Sequence, residues 1–69
     1  MAYSQRVDFV GDTIIYKGEA LPGTLDSVSG WRIKKIEFIG VDADVKISWA
    51  NGTELFDKAW SNRLTYTYL

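Results

Sequence analysis

The chain contains no cysteine and no histidine among its 69 residues. The commonest general base, the best thiol nucleophile and the imidazole and thiolate metal ligands are therefore missing, which excludes most nucleophilic, acid–base and transition-metal constellations. No disulfide staples the fold, and a chain near the lower size limit for independent folding must find stability elsewhere, with oligomerisation as the remaining route. Charge of one sign is also lacking. Eight basic and nine acidic residues give a formal charge of −1, and their interspersion creates no field that would gather nucleic acid or an anionic membrane. No apolar run approaches the roughly 18 residues of a membrane span, and Met1–Arg6 is not followed by the apolar stretch of a secretory signal. The expectation is a soluble protein made in a cytoplasm. A lone proline and scattered single glycines rule out a phosphate-cradling loop, and no low-complexity linker or internal repeat divides the sequence.

What is present reads as strands and turns. Residues 1–12 form a polar arm carrying Tyr3, Val7, Phe9 and Val10, either a short edge strand or a tail that docks on a neighbour; residues 13–69 form a single small β domain. Thr13-Ile-Ile-Tyr-Lys-Gly is β-branched and aromatic, and Pro22-Gly23 suits the centre of a type II turn. Trp31-Arg-Ile-Lys-Lys-Ile-Glu-Phe-Ile gives the best strand signal, with a helix as its rival. Its inward set is predicted as Trp31 and Ile33, then Ile36 and Phe38, the phase slipping at a β-bulge over Lys34-Lys35. Val45, Ile47 and Trp49 alternate with Asp44, Lys46 and Ser48, which predicts a half-buried strand whose polar side meets water. Asn51-Gly52 is the strongest hairpin signal. One short helical turn is expected near residues 54–60, and Leu64, Tyr66 and Tyr68, alternating with threonines, predict a final strand. The sum is an all-β fold, a small antiparallel sheet or barrel of four to five short strands whose edges must be covered or paired.

No site for chemistry emerges. Asp42 and Asp44 with the carbonyls of Gly40 and Val41 suggest a hard-cation loop, but the spaced ligands of a calcium loop are absent and a solvated turn explains them. Lys34 and Lys35 beside Trp31 and Arg32 resemble the basic and aromatic mixture of single-strand binders, yet the stronger reading is of lysines on an outer strand face that deter aggregation, with acidic residues elsewhere cancelling any basic stripe. The reading is of a non-enzyme with no catalytic, cofactor or metal residues and no cofactor. Three Trp, four Tyr and three Phe exceed what a compact core readily encloses, which points to a protein interface or, as a rival, a sugar-stacking module. Individually, core packing accounts for Trp31, Trp49, Phe56 and Trp60, and an Asp57–Arg63 ion pair is expected to fix the Phe56–Arg63 segment. The candidate interface residues are Tyr3, Phe9, Trp31, Trp60, Arg63, Tyr66 and Tyr68.

Tyr16-x-Gly18-x-Ala20-x-Pro22-Gly23-Thr24, Trp31-x-Ile33-x-x-Ile36, Trp49-Ala50-x-Gly52 and Phe56-Asp57-x-x-Trp60-x-x-Arg63, with a closing Tyr66, together resemble a family of very short proteins of tailed bacteriophages and prophages. The resemblance covers about residues 13–68 and leaves the N-terminal arm outside it. It implies a virion structural protein, tail-associated (tail, baseplate, fibre or adaptor component) or else a capsid decoration protein, working through contacts with other virion proteins and with copies of itself. It also implies synthesis in the bacterial host cytoplasm and residence in the virion; the balanced charge and short apolar runs leave neither nucleic acid nor membrane as an expected partner.

Overall fold

The computed structural model of the chain describes residues 2–40 and 44–69. The fold is all-β: β1 (Ser4–Val10), β2 (Ile14–Ala20), β3 (Arg32–Ile39) and β4 (Asp44–Trp49) form one antiparallel sheet in the order β1-β2-β3-β4. A single 3₁₀ turn, Trp60–Asn62, is the only helical element among the described residues. The Gly40–Asp44 segment, weighed as a cation loop and read as a solvated turn, lies mostly outside them, and no cluster of three or more metal-ligating side chains occurs among them.

Local chemistry explains the connections. Residues 4–10 are an edge strand laddered to β2 from Ser4↔Ala20 to Val10↔Ile14. Past β2, Gly23 takes a φ of 88° and the Thr24 amide donates to the Leu21 carbonyl at 3.1 Å, the type II geometry that Pro22-Gly23 favours. Asn51 and Gly52, at φ 54° and 72°, reverse the chain in a type I′ turn closed by the Thr53 amide on the Ala50 carbonyl at 3.3 Å. No strand follows that turn, so the expected hairpin is only half built.

Residues 58–69 instead fold back over one face of the sheet. Lys58 exchanges backbone hydrogen bonds with Trp31 at 2.8 and 2.9 Å, Leu69 does so with Trp49 at 3.1 Å both ways, and the Asn51 amide reaches the Thr67 carbonyl at 2.7 Å. The expected final strand is thus reduced to an isolated bridge, Ala50↔Tyr68, and the helical turn expected near residues 54–60 forms at Trp60–Asn62. Arg63 pairs with Asp8 at 3.0 Å, tying this cover to β1, while Asp57 contacts Lys58, so the expected Asp57–Arg63 pair does not form.

The core lies between sheet and cover. Tyr16, Ala20, Trp31, Ile33, Ala50 and Trp60 are buried together, with Ile14, Tyr66 and Tyr68 packed against them. On the sheet side this core sets the small residues Gly18, Ala20, Ser48 and Ala50 beside Tyr16 and Ile33, and further bulk comes from Trp31 and from the cover's aromatics. An ideal Cβ on Gly18 would sit 2.6 Å from Trp60 Cε3, so the indole lies on bare backbone. The Trp31 and Trp60 rings are 6.1 Å apart and those of Tyr16 and Tyr68 5.3 Å apart, within the range of favourable tilted aromatic pairs. The polar tips are satisfied: Trp31 Nε1 donates to the Leu25 carbonyl, the Tyr68 hydroxyl donates to the Arg63 carbonyl, and the Tyr66 hydroxyl accepts from the Ala59 amide.

This arrangement corrects two expectations. Every β2–β3 and β3–β4 pair keeps a constant register, so there is no bulge at Lys34-Lys35, and Ile36 and Phe38 lie on the face opposite Trp31 and Ile33. In β4 the faces are inverted as well. Ser48 is buried, whereas Val45 and Ile47 are about half exposed. The larger apolar residues were expected inward, but a cover made of indoles and phenols needs a floor of small ones.

A candidate docking surface on the open face of the sheet

The face away from the cover carries most of the sheet's larger apolar side chains. Strict alternation places Val7 and Phe9 of β1 there, with Ile15 and Lys17 of β2, Lys34, Ile36 and Phe38 of β3, and Val45, Ile47 and Trp49 of β4. The registers align them in rows that cross all or most of the strands. One row is wholly apolar, Phe9–Ile15–Ile36–Ile47. The row on one side is Val7–Lys17–Lys34–Trp49. On the other side Phe38 pairs with Val45, and its amide donates to the Thr13 carbonyl at 2.9 Å. Phe9 is 71% exposed and Ile47 54%, so the central row is wet at both ends.

The charge on this face is specific in position. Lys17 and Lys34 stand directly opposite one another, a like-charge pairing that costs stability in a sheet. Lys34 leans over the Trp49 ring, its ammonium 5.5 Å from the centroid, which offsets part of that cost. One row further, Glu19 accepts from Arg32 at 3.2 Å, and the Arg32 guanidinium lies 4.8 Å from the Phe56 ring and 5.5 Å from Tyr3. Tyr3 and Phe56, 5.2 Å apart, also line a groove of about 330 Å³ with Leu21, Thr24, Val28 and Gly30. That groove is at the small end of ligand-sized cavities.

The edge of β4 is partly open. The Ala50 amide bonds to Ile33 in β3, and alternation along an antiparallel ladder then turns the backbone groups of Trp49, Ile47 and Val45 outward. Trp49 is met by Leu69; Ile47 and Val45 form the stretch that the cover leaves bare, at the margin of the apolar face.

Of the residues expected at an interface, the structure exposes Tyr3 and Phe9. Trp31 and Trp60 are 2% and 5% exposed and belong to the core, a correction that follows from the aromatic cover. Arg63, Tyr66 and Tyr68 are half-buried and committed internally: Arg63 lies 4.7 Å from the Trp60 ring centroid besides pairing with Asp8, and both phenol oxygens are hydrogen-bonded. Burial, reinforced by the neighbouring Tyr16 and Tyr66 phenols, raises the Tyr68 pKa above that of an ordinary tyrosine despite the opposing Arg63 charge. The open-face residues Ile15, Ile36, Phe38, Val45, Ile47 and Trp49 were not recognised from the sequence as a surface. The signal that finds them is the run of small residues Gly18, Ala20, Ser48 and Ala50, which marks the covered face and so the opposite one.

Chemically, this surface can bury apolar area and hold carboxylates beside the two lysines. Comparison of the chain with protein-family models, with curated proteins and with solved structures gives no significant match.

Proposed function

We propose that the chain is a non-catalytic structural protein of a bacteriophage particle, tail-associated, that acts by assembling with other protein chains through the open face of its sheet. The observation that carries the assembly reading is the apolar row Phe9–Ile15–Ile36–Ile47 with Phe38 and Val45 beside it, left uncovered by the chain's own cover segment. A contiguous apolar patch of several hundred Å² rimmed by polar groups is the mark of an interaction site. The phage setting is supported by the spaced aromatic and turn residues of 13–68. The sugar-stacking alternative gains nothing from the indoles, because Trp31 and Trp60 are buried and Lys34 leans over Trp49. Mass spectrometry of purified phage particles whose genome encodes this sequence is expected to find the chain in several copies per particle. Its absence from the particles would overturn the virion assignment.

A further inference from the structure

The open face also selects its own partner. The buried apolar set includes Ala20, Ala50 and Ala59 among seven residues, so the core is thin for a chain without disulfide or metal. Its sheet is covered on one side, and on the other it carries an apolar row flanked by lysines that nothing among the described residues covers. We propose that two copies of the chain pack sheet on sheet through this face, about a two-fold axis that runs along the Phe9–Ile15–Ile36–Ile47 row; the inference rests on the assembly reading and names the occupant of the same face.

The register decides the axis. With the axis along the row, each residue of that row meets its own counterpart, so four apolar side chains from each copy interleave at the centre. The rotation carries the Val7–Lys17–Lys34–Trp49 row onto the row at the other end of the face, so Lys17 and Lys34 meet Thr13 and Phe38 of the second copy and Trp49 meets Val45. Lysine stems then lie on apolar surface with their ammonium groups near an aromatic ring. An axis along the strands would set Lys17 against Lys34 of the second copy and put four ammonium groups in one layer, a like-charge juxtaposition that disfavours that pairing.

The area suffices for a specific contact. Four strands about 4.8 Å apart and seven residues rising about 3.4 Å each give a face of roughly 19 by 24 Å. Side-chain relief brings this to roughly 600 Å² of accessible surface per copy, or about 1,200 Å² for the pair, the lower end of specific interfaces.

Sedimentation velocity of the full chain from micromolar to millimolar concentration tests this, and a concentration-dependent dimer is the expected result. Phe9→Lys and Ile47→Lys, at exposed positions, are each expected to weaken the dimer by roughly tenfold or more with circular dichroism unchanged. The chain has no cysteine, so Ile47→Cys reports the axis. A thiol cross-linker of roughly 10 Å reach, matching the separation of packed sheets, is expected to join two Ile47→Cys chains to each other. A monomer at every concentration overturns the proposal, as do lysine variants that dimerise like the parent chain. Cross-linking confined to mixtures of Ile47→Cys with Phe9→Cys overturns the axis. A monomeric chain still present in particles would refute this inference alone, and a dimeric chain absent from particles would refute the virion assignment alone.

Discussion

Replacing Gly18 by alanine is expected to destabilise the protein although it adds a single methyl group to a strand. The new Cβ would lie 2.6 and 2.9 Å from Trp60 Cε3 and Cζ3 and 3.1 Å from Trp31 Cε3, inside van der Waals contact with two rings at once. Neither ring moves freely. Trp31 is held by its Nε1 hydrogen bond to Leu25 at 3.0 Å, and the Arg63 guanidinium packs on Trp60 at 4.7 Å while pairing with Asp8. Overpacking of this kind costs about 1–3 kcal/mol. Loss of the glycine's freedom in the unfolded chain returns about 0.4–1 kcal/mol. The net expectation lies between nearly zero and a loss of about 2.6 kcal/mol, centred near a loss of about 1.3 kcal/mol, and a domain of this size converts that central value into a Tm lower by about 5–10 °C. Thermal and urea unfolding followed by far-ultraviolet circular dichroism measures the loss, and the near-ultraviolet indole signal reports the displaced rings. In a Trp60→Phe background, where the smaller ring leaves room, the penalty is expected to shrink, and the non-additivity measures the clash directly. A Gly18→Ala chain that melts at or above the parent temperature, with its indole signal intact, would refute the close approach of Trp60 to the sheet.

Two further perturbations probe polar groups inside the cover. Ser48 is buried and its Oγ finds no hydrogen-bond partner among the described residues, so Ser48→Ala is expected to be neutral or to stabilise by about 0.5–1 kcal/mol in urea titration, since an unsatisfied buried hydroxyl carries a desolvation cost; a clear loss of stability would show that the hydroxyl is bonded. The Tyr68 phenol is harder to ionise in the folded chain than in the unfolded one because of its burial and the adjacent Tyr16 and Tyr66. Its contribution is therefore whole below the ordinary tyrosine pKa of about 10 and lost as the pH rises beyond it, so Tyr68→Phe is expected to flatten the alkaline decline in Tm; an identical decline in the variant would assign it to other groups.

The sheet itself was legible because β-branched and aromatic runs broken by Pro22-Gly23 and Asn51-Gly52 specify strands and turns through local chemistry. The faces were not. Periodicity says which residues share a side but not which side is covered, and the rule that bulk points inward failed at Ile36, Phe38, Val45 and Ile47. At those positions the large partners of the core come from Trp60, Tyr66 and Tyr68, far along the chain, and the sheet answers with Gly18, Ala20, Ser48 and Ala50. Arg63 was singled out for a local pair with Asp57, while its actual partner, Asp8, is 55 residues away. Contacts of such separation leave no trace in spacing. The candidate surface was legible at Tyr3 and Phe9, whose surroundings in the arm are polar, and misread at Trp31 and Trp60, whose size suits a core and an interface equally.

The aromatic cover has a consequence for the order of events in synthesis. The four strands can pair as they emerge, each with its neighbour in sequence, but the resulting ribbon is apolar on both sides until residues 58–69 arrive. Trp31, buried in the finished protein, waits without Lys58, and Asp8 waits without Arg63. Hairpin pairing is local and fast, whereas closing the cover must bring together residues at opposite ends of the chain, and such non-local closure slows folding. Until that closure both faces of the sheet are exposed, and exposed apolar surface and unpaired strand edges favour association between chains. A newly made chain covers one of those faces by folding residues 58–69 onto the sheet, and the other stays open to solvent.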